Sequence, residues 1–301
     1  MIVDRTNIQE FFNGLQAAFG VGLGAATREW AAIATRITSS TEKEFYGHLS
    51  QFPSLREWVG DKQIKSLKAR GVSLLNEDYE STIGIDRNHL EDAVSVAAAI
   101  AGRSHIAREQ GMAAGRHVEK NTFDALAAGD ATVWLDEQNF FSATHTKKGG
   151  TQSNIDTGGG GPRWWLMDAS RSVKPVIYQT RKDPTVTNVE LPTAEAVFMR
   201  RELLFGVEAR SAWGFGWWQT AFQSNQTLNA VNFDAAFETM MAFEDDDEGE
   251  RLGIRPTLLV VPSNLRSEAL DILEKQLISS GETNRNFRAV DLLISPWLPT
   301  T

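Results

Sequence analysis

The chain has 301 residues, enough for one large or two ordinary domains, and its 42% hydrophobic and 23% charged residues exclude wholesale disorder. A formal net charge of -9 argues against a protein whose main work is gripping nucleic acid, because holding phosphates needs a basic face. With no cysteine, disulfides, thiolate metal sites and cysteine nucleophiles are out; no apolar run is long enough to span a bilayer, and the first residues lack the order of a signal peptide, so a cytosolic origin is expected.

Residues 4–19 predict an amphipathic helix, with Ile8, Phe11, Phe12, Leu15 and Phe19 on one face and Thr6 with Gln9 in the spacing of a capping box. Gly20, Gly22 and Gly24 follow and are expected to loosen the chain. The segment therefore reads two ways: as an arm that carries an apolar stripe away from its own body, or as a first helix folded onto the core. Residues 45–59 and 72–86 read as extended, the second with Tyr79, Ser81, Ile83 and Ile85 alternating against Glu80, Thr82 and Gly84. Between them Ile64 and Leu67 sit among Lys62, Lys65, Lys68 and Arg70, a short amphipathic turn ended by Gly71. The whole unit predicts a long hairpin with a basic tip, which in water needs a surface to lie on.

From Asp86, a capping residue, Leu90, Val94, Ala97, Ala98 and Ala101 keep helical spacing in an alanine-rich stretch slim enough to pack closely. A second helix is expected over 117–128. Residues 147–162 are glycine-rich and read as a flexible loop. Strands are expected over 164–168, 173–179 and 197–218, the last broken at Gly206, Gly214 and Gly216. A helix over 232–243, a solvated acidic loop over 244–250 and a buried strand over 256–262 follow. Asn264 or Ser263 would cap a helix over 266–277, and a last strand covers 290–294. Helices and strands mix without regular βαβ alternation, so the fold class is α+β.

Nine tryptophans stand against five histidines. The densest patch holds Trp213, Phe215, Trp217, Trp218 and Phe222, and tryptophan concentrates in cores and at interfaces. Core burial suits any single one; the sum of arm, hairpin, loop and aromatic anchors points to partners. The glycine run 158–161 lacks both phosphate-loop patterns and is closed by Pro162. The acidic run fails the calcium-loop register, because Arg255 falls where the bidentate Glu belongs. His48, His89, His105, His117 and His145 show no H-E-x-x-H spacing and are expected at surface or capping positions, and no serine lies in G-x-S-x-G. No catalytic residue, metal ligand or cofactor is assigned.

Six blocks carry a resemblance. They are YGHLSQFPSLREWVG at 46–60, YESTIGIDRNHLED at 79–92, DEQNFFSATH at 136–145, LMDASRSVKP at 166–175, FGVEARSAWGFGWWQTAF at 205–222 and PTLLVVPSNL at 256–265. In this order the chain resembles the major capsid (head) proteins of Mu-like tailed bacteriophages and prophages. The resemblance implies the α+β tailed-phage capsid fold (HK-ninety-seven type), with an N-terminal arm at 1–40 and an extended-loop hairpin at 41–85. It also implies a peripheral domain at 86–230, with a spine helix and the irregular loop 145–163, and an axial domain at 231–301. The order of these parts relative to the wider fold stays open.

The implied function is structural, not enzymatic: self-assembly, as hexamers and pentamers, into an icosahedral head shell around double-stranded DNA that is not read by sequence. Implied partners are a separate scaffolding protein with a head protease, a portal and, as an open matter, a decoration protein. The implied location is the virion, after assembly in the host bacterial cytoplasm, with no membrane and no cofactor. Another virion part (portal or tail) and a soluble enzyme with a site at 136–170 are the alternatives. Candidate contacts between copies are Phe11 and Phe12 in the arm, Trp58 in the hairpin, Lys62, Lys65, Lys68 and Arg70 at its tip, and Asp245, Asp246 and Asp247 in the acidic run the tip would meet.

Overall fold

In a computed structural model the described residues are 4–46, 71–189, 201–245, 249–277 and 281–300. Trp58, Lys62, Lys65, Lys68, Arg70, Asp246 and Asp247 lie outside them, as does most of the expected hairpin.

Helix α1 (Arg5–Ala25) runs straight through the three glycines that were expected to end it. Its N-cap is Asp4, whose carboxylate accepts the Asn7 amide at 2.8 Å, in place of a Thr6–Gln9 box. A single turn, α2 (Trp30–Ile33), leads into β1 (Ala34–Thr38). The root of the hairpin is the antiparallel pair β2 (Lys43–Phe45) and β3 (Ser73–Leu75). Strand β4 (Glu77–Asp86) then leaves the hairpin and pairs elsewhere, so 72–86 is not simply the partner of 45–59.

Asp86 caps the short α3 (Arg87–Asp92), and Ser95 caps the long α4 (Val96–Ala127) through the Ala98 amide. The expected helix at 117–128 is the last part of this one 32-residue helix. Its alanines and glycines let α1 lie along it. A Cβ at Gly22 would overlap the Arg108 carbonyl, and one at Gly111 would overlap the Phe19 carbonyl. These glycines are points of close backbone approach, not hinges.

Two sheets follow. The first has the order β1-β9-β10-β4, with β9 (Val176–Val189) and β10 (Glu202–Phe215) each 14 residues long. β1 pairs with β9 in parallel, and the other pairings are antiparallel. β10 passes Gly206 and Gly214 unbroken, because each is matched across to β9, Gly206 to Thr187 and Gly214 to Ile177.

The glycine-rich region holds a hairpin of β5 (His145–Lys147) and β6 (Gly150–Gln152), then β7 (Ile155–Asp156); it is therefore partly strand. With β8 (Trp164–Met167), β11 (Ala221–Ser224), β12 (Leu258–Pro262) and β13 (Asp291–Ser295), β7 builds the second sheet, in the order β13-β12-β8-β11-β7. This sheet spans the expected domain edge at 230/231.

Helix α5 (Ala230–Met241) is capped by Asn229. Helix α6 (Arg266–Leu273) is shorter than expected and has no side-chain cap; the Asn264 amide donates to the Thr300 carbonyl instead. The apolar interior forms two clusters. One lies between α1, α4 and the Phe205 end of the first sheet; the other surrounds the second sheet and the Trp213–Phe222 region.

Candidate assembly surfaces and a buried polar knot

The apolar stripe of α1 is buried inside its own chain. Phe11 and Phe12 are 0% exposed, and the Phe12 ring stacks on Phe205 at 6.2 Å. Of the two alternatives for this segment, the chain adopts the helix folded onto the core, and neither ring faces outward.

The hairpin root is fixed to the first sheet by buried polar bonds. The Tyr46 hydroxyl donates to Gln179 Oε1 at 2.7 Å, and Gln179 Nε2 donates to Asn76 Oδ1 at 2.8 Å. Asn76 Nδ2 in turn donates to Ser39 Oγ and to the Thr41 and Glu42 carbonyls. Burial, with Glu44 nearby, pushes the Tyr46 phenol up to about 12. Glu44 Oε1 closes the turn by accepting the Ser40 and Thr41 amides at 2.9 and 3.2 Å, and these bonds hold its carboxyl below the usual range. Whatever 47–70 does, it starts from a rigid base.

The first sheet carries exposed ion pairs. Arg210 pairs with Asp78, Lys182 with Glu208 and Arg36 with Asp183, each at 2.6 Å. The Lys182 ammonium holds the Glu208 carboxyl down. Such exposed pairs contribute about 0–1 kcal/mol each. In the acidic run, Glu244 reaches Lys147 at 3.4 Å and Arg251 at 4.0 Å, and Asp245 Oδ1 accepts the Gly249 amide at 2.7 Å. Glu244 and Asp245 thus already have partners within their own chain.

Two histidines differ from expectation, His117 and His145, whereas His89 and His105 are exposed as expected and His48 lies outside the described residues. His145 is fully buried, with its ring stacked on Trp218 at 3.9 Å and 3°. Nδ1 faces Asp136 Oδ2 at 2.6 Å and Nε2 faces Asn154 Oδ1 at 3.0 Å. Asn154 is fixed independently: Oδ1 accepts the Ser142 amide, and Nδ2 donates to the Phe140, Trp218 and Ala221 carbonyls. Both ring nitrogens therefore face side-chain oxygens, Asp136 on one side and Asn154 on the other.

This knot ties the 136–154 segment to β11. It sits in the region of the enzyme alternative, and both ring nitrogens are taken up by oxygens of the chain's own side chains. The signal in sequence was the spacing of Asp136 and His145 at the two ends of one block. His117 is half-buried between Tyr79 and Trp213, and burial, with Lys120 nearby, pushes its pKa down. Among the described residues no group of three or more His, Asp or Glu is placed to hold a metal ion.

Comparison with known proteins agrees with this architecture. The family of the Mu-like prophage major head subunit gpT matches residues 8–298. The Mu-like prophage FluMu major head subunit of Haemophilus influenzae is 36% identical over 281 residues, covering 90% of this chain and 89% of that protein. A subunit of the procapsid of bacteriophage JBD30 superposes with a TM-score of 0.81 at 38% identity, over 95% of this chain and 97% of that one. The JBD30 capsid decorated with minor capsid protein trimers gives 0.76 at 28%, over 92% and 93%. The fold is the tailed-phage capsid fold of the HK-ninety-seven type. The chain belongs to the Mu-like major head subunit family, the structural major capsid proteins that build the icosahedral head shell of these tailed phages.

Proposed function

We propose that copies of this chain close rings of five and six, and that the rings tile the shell with the hairpin of each copy lying across a neighbour. The whole-length likeness to a procapsid subunit is the observation that carries this. The buried polar bonds of Tyr46, Gln179 and Asn76 support it, because they fix the base of the hairpin on the first sheet. Each contact is weak and many act together, so the assembly persists by multivalency.

The tip residues Lys62, Lys65, Lys68 and Arg70 meet an acidic surface of the neighbour. The run at 244–250 is one candidate and the β4 side of the first sheet a second. Trp58 belongs to the same contact. The division into arm, hairpin, peripheral and axial parts belongs to the proposal, its 230/231 edge crossing a shared sheet. A separate scaffolding protein, a head protease and a portal complete the assembly, which takes place in the host bacterial cytoplasm. An outer decoration protein is supported by the decorated relative. The lumen holds double-stranded DNA without sequence-specific contacts, consistent with a net charge of -9. No catalytic step is assigned to the chain.

Negative-stain imaging and size-exclusion chromatography of purified protein test the first claim. Rings or closed shells are expected, and a solitary monomer at high concentration sinks it. Lys65→Glu with Lys68→Glu tests the tip. The expected result is loss of closed shells with the subunit fold intact by circular dichroism; normal shells at high yield remove the tip from the mechanism.

A further inference from the structure

We infer that the groove between α4 and the β4 side of the first sheet receives Trp58 of a neighbouring copy. The inference rests on the proposed hairpin contact and names where one side chain of that hairpin goes. The groove has a volume of about 220 Å³ and is walled by Tyr79, Gln110, Ala113, His117 and Val207. A cavity of roughly 150 Å³ admits benzene, so this one has room for an indole.

Gln110 sets the chemistry of the occupant. The side chain is 7% exposed, and its Nε2 donates to the Ser81 carbonyl at 2.7 Å and to Ser81 Oγ at 3.1 Å. Those bonds fix the amide orientation and leave Oε1 buried, with no donor among the described residues. An occupant that is apolar and flat and carries one N–H donor suits both the walls and this acceptor. Across 47–70 the one large apolar side chain with a donor is Trp58. His117 and Tyr79, 4.3 Å apart, offer it an aromatic wall.

Charge points the same way. β4 is the last strand of its sheet, and Glu80 lines the groove. Glu77 accepts the Tyr79 hydroxyl and Glu80 the Thr82 hydroxyl, and neither meets a cation among the described residues. In sequence Trp58 is followed by Lys62, Lys65, Lys68 and Arg70. A hairpin that seats Trp58 in the groove carries these cations to the acidic rim.

The absence of native cysteine makes a clean cross-linking test. Chains with Trp58→Cys and separately tagged chains with Ala113→Cys are mixed, assembled under conditions that give shells from the native chain, and oxidised. The expected product is a reducible heterodimer of the two tagged masses. Val59→Cys replaces Trp58→Cys where loss of the indole stops assembly. Shells that form without the heterodimer overturn the inference. So does a Trp58→Cys, Ala113→Cys double variant that closes only within one chain, because the occupant is then the chain's own hairpin. Trp58→Phe, which keeps the ring and loses the donor, is expected to raise the concentration needed for assembly several-fold; an unchanged threshold overturns the role of Gln110. A native chain that never assembles sinks the shell proposal itself, and shows before any cysteine is introduced.

Discussion

In the second sheet Trp164–Met167 and Leu258–Pro262 are buried along their whole length, whereas in the first sheet β4 buries Ile85 alone among its ten residues. These two strands of the second sheet are covered on both faces and read as nearly continuous apolar sequence. The first is covered by α1 and α4 on one side and keeps ion pairs, an end strand and a groove toward solvent. A strand sheltered on both faces owes its stability to its own chain. One sheltered on a single face is available to another copy. The two sheets thus differ in how far these strands are buried within the chain.

The sharpest way to break this contrast is in the second sheet. Trp165→Ala removes a fully buried ring and its 3.0 Å indole bond to Gln223, and is expected to destabilise the subunit by about 3–5 kcal/mol in chemical denaturation. A loss under 1 kcal/mol would mean the sheet is not the stable half. His145→Ala comes next. It strands Asp136 and Asn154 in the interior and is expected to cost about 3 kcal/mol; a neutral outcome would show that the knot is dispensable.

On the other side of the comparison, Gly111→Ala pushes a methyl into the Phe19 carbonyl and is expected to cost about 1–3 kcal/mol. Gly102→Ala in the same helix meets nothing within 4 Å and is expected to add up to about 1 kcal/mol. Equal effects would refute the close seam between α1 and α4. The smallest expected effect is pH dependence from His117. Burial lowers its folded pKa, so the folded chain binds fewer protons there than the unfolded one. Stability is then full above the unfolded value of about 6.5 and falls as pH drops through the folded value. Thermal scans of the native chain and of His117→Phe should show a steeper acid loss in the native chain; parallel curves would contradict it.

Much of the local structure was legible from residue pattern. The stripe of Ile8, Phe11, Phe12 and Leu15 announced α1, the apolar run at 256–262 announced β12, and Asp86 caps a helix, though only the short α3: the chain leaves the helix at Val94 and Ser95 caps α4 anew. The errors share one cause. Gly20, Gly22 and Gly24 were taken as flexibility because a glycine in isolation frees the backbone, but Gly22 stands where a second helix comes too close for any side chain. His145 was placed on the surface because nothing nearby in sequence says that Asn154 and Trp218 converge on it.

The order of apolar and polar residues, by itself, determined most of the helices and strands and the mixed α+β class, but not the strands within 145–156, and the six blocks carried the family. Periodicity and caps are local, and six blocks in order survive any rearrangement of space. Tertiary structure alone decided that β4 pairs with β10, that strands from both halves share the second sheet, and that the first helix lies along α4. Those outcomes depend on which surfaces meet across many residues, and burial is a property of the meeting, not of either partner.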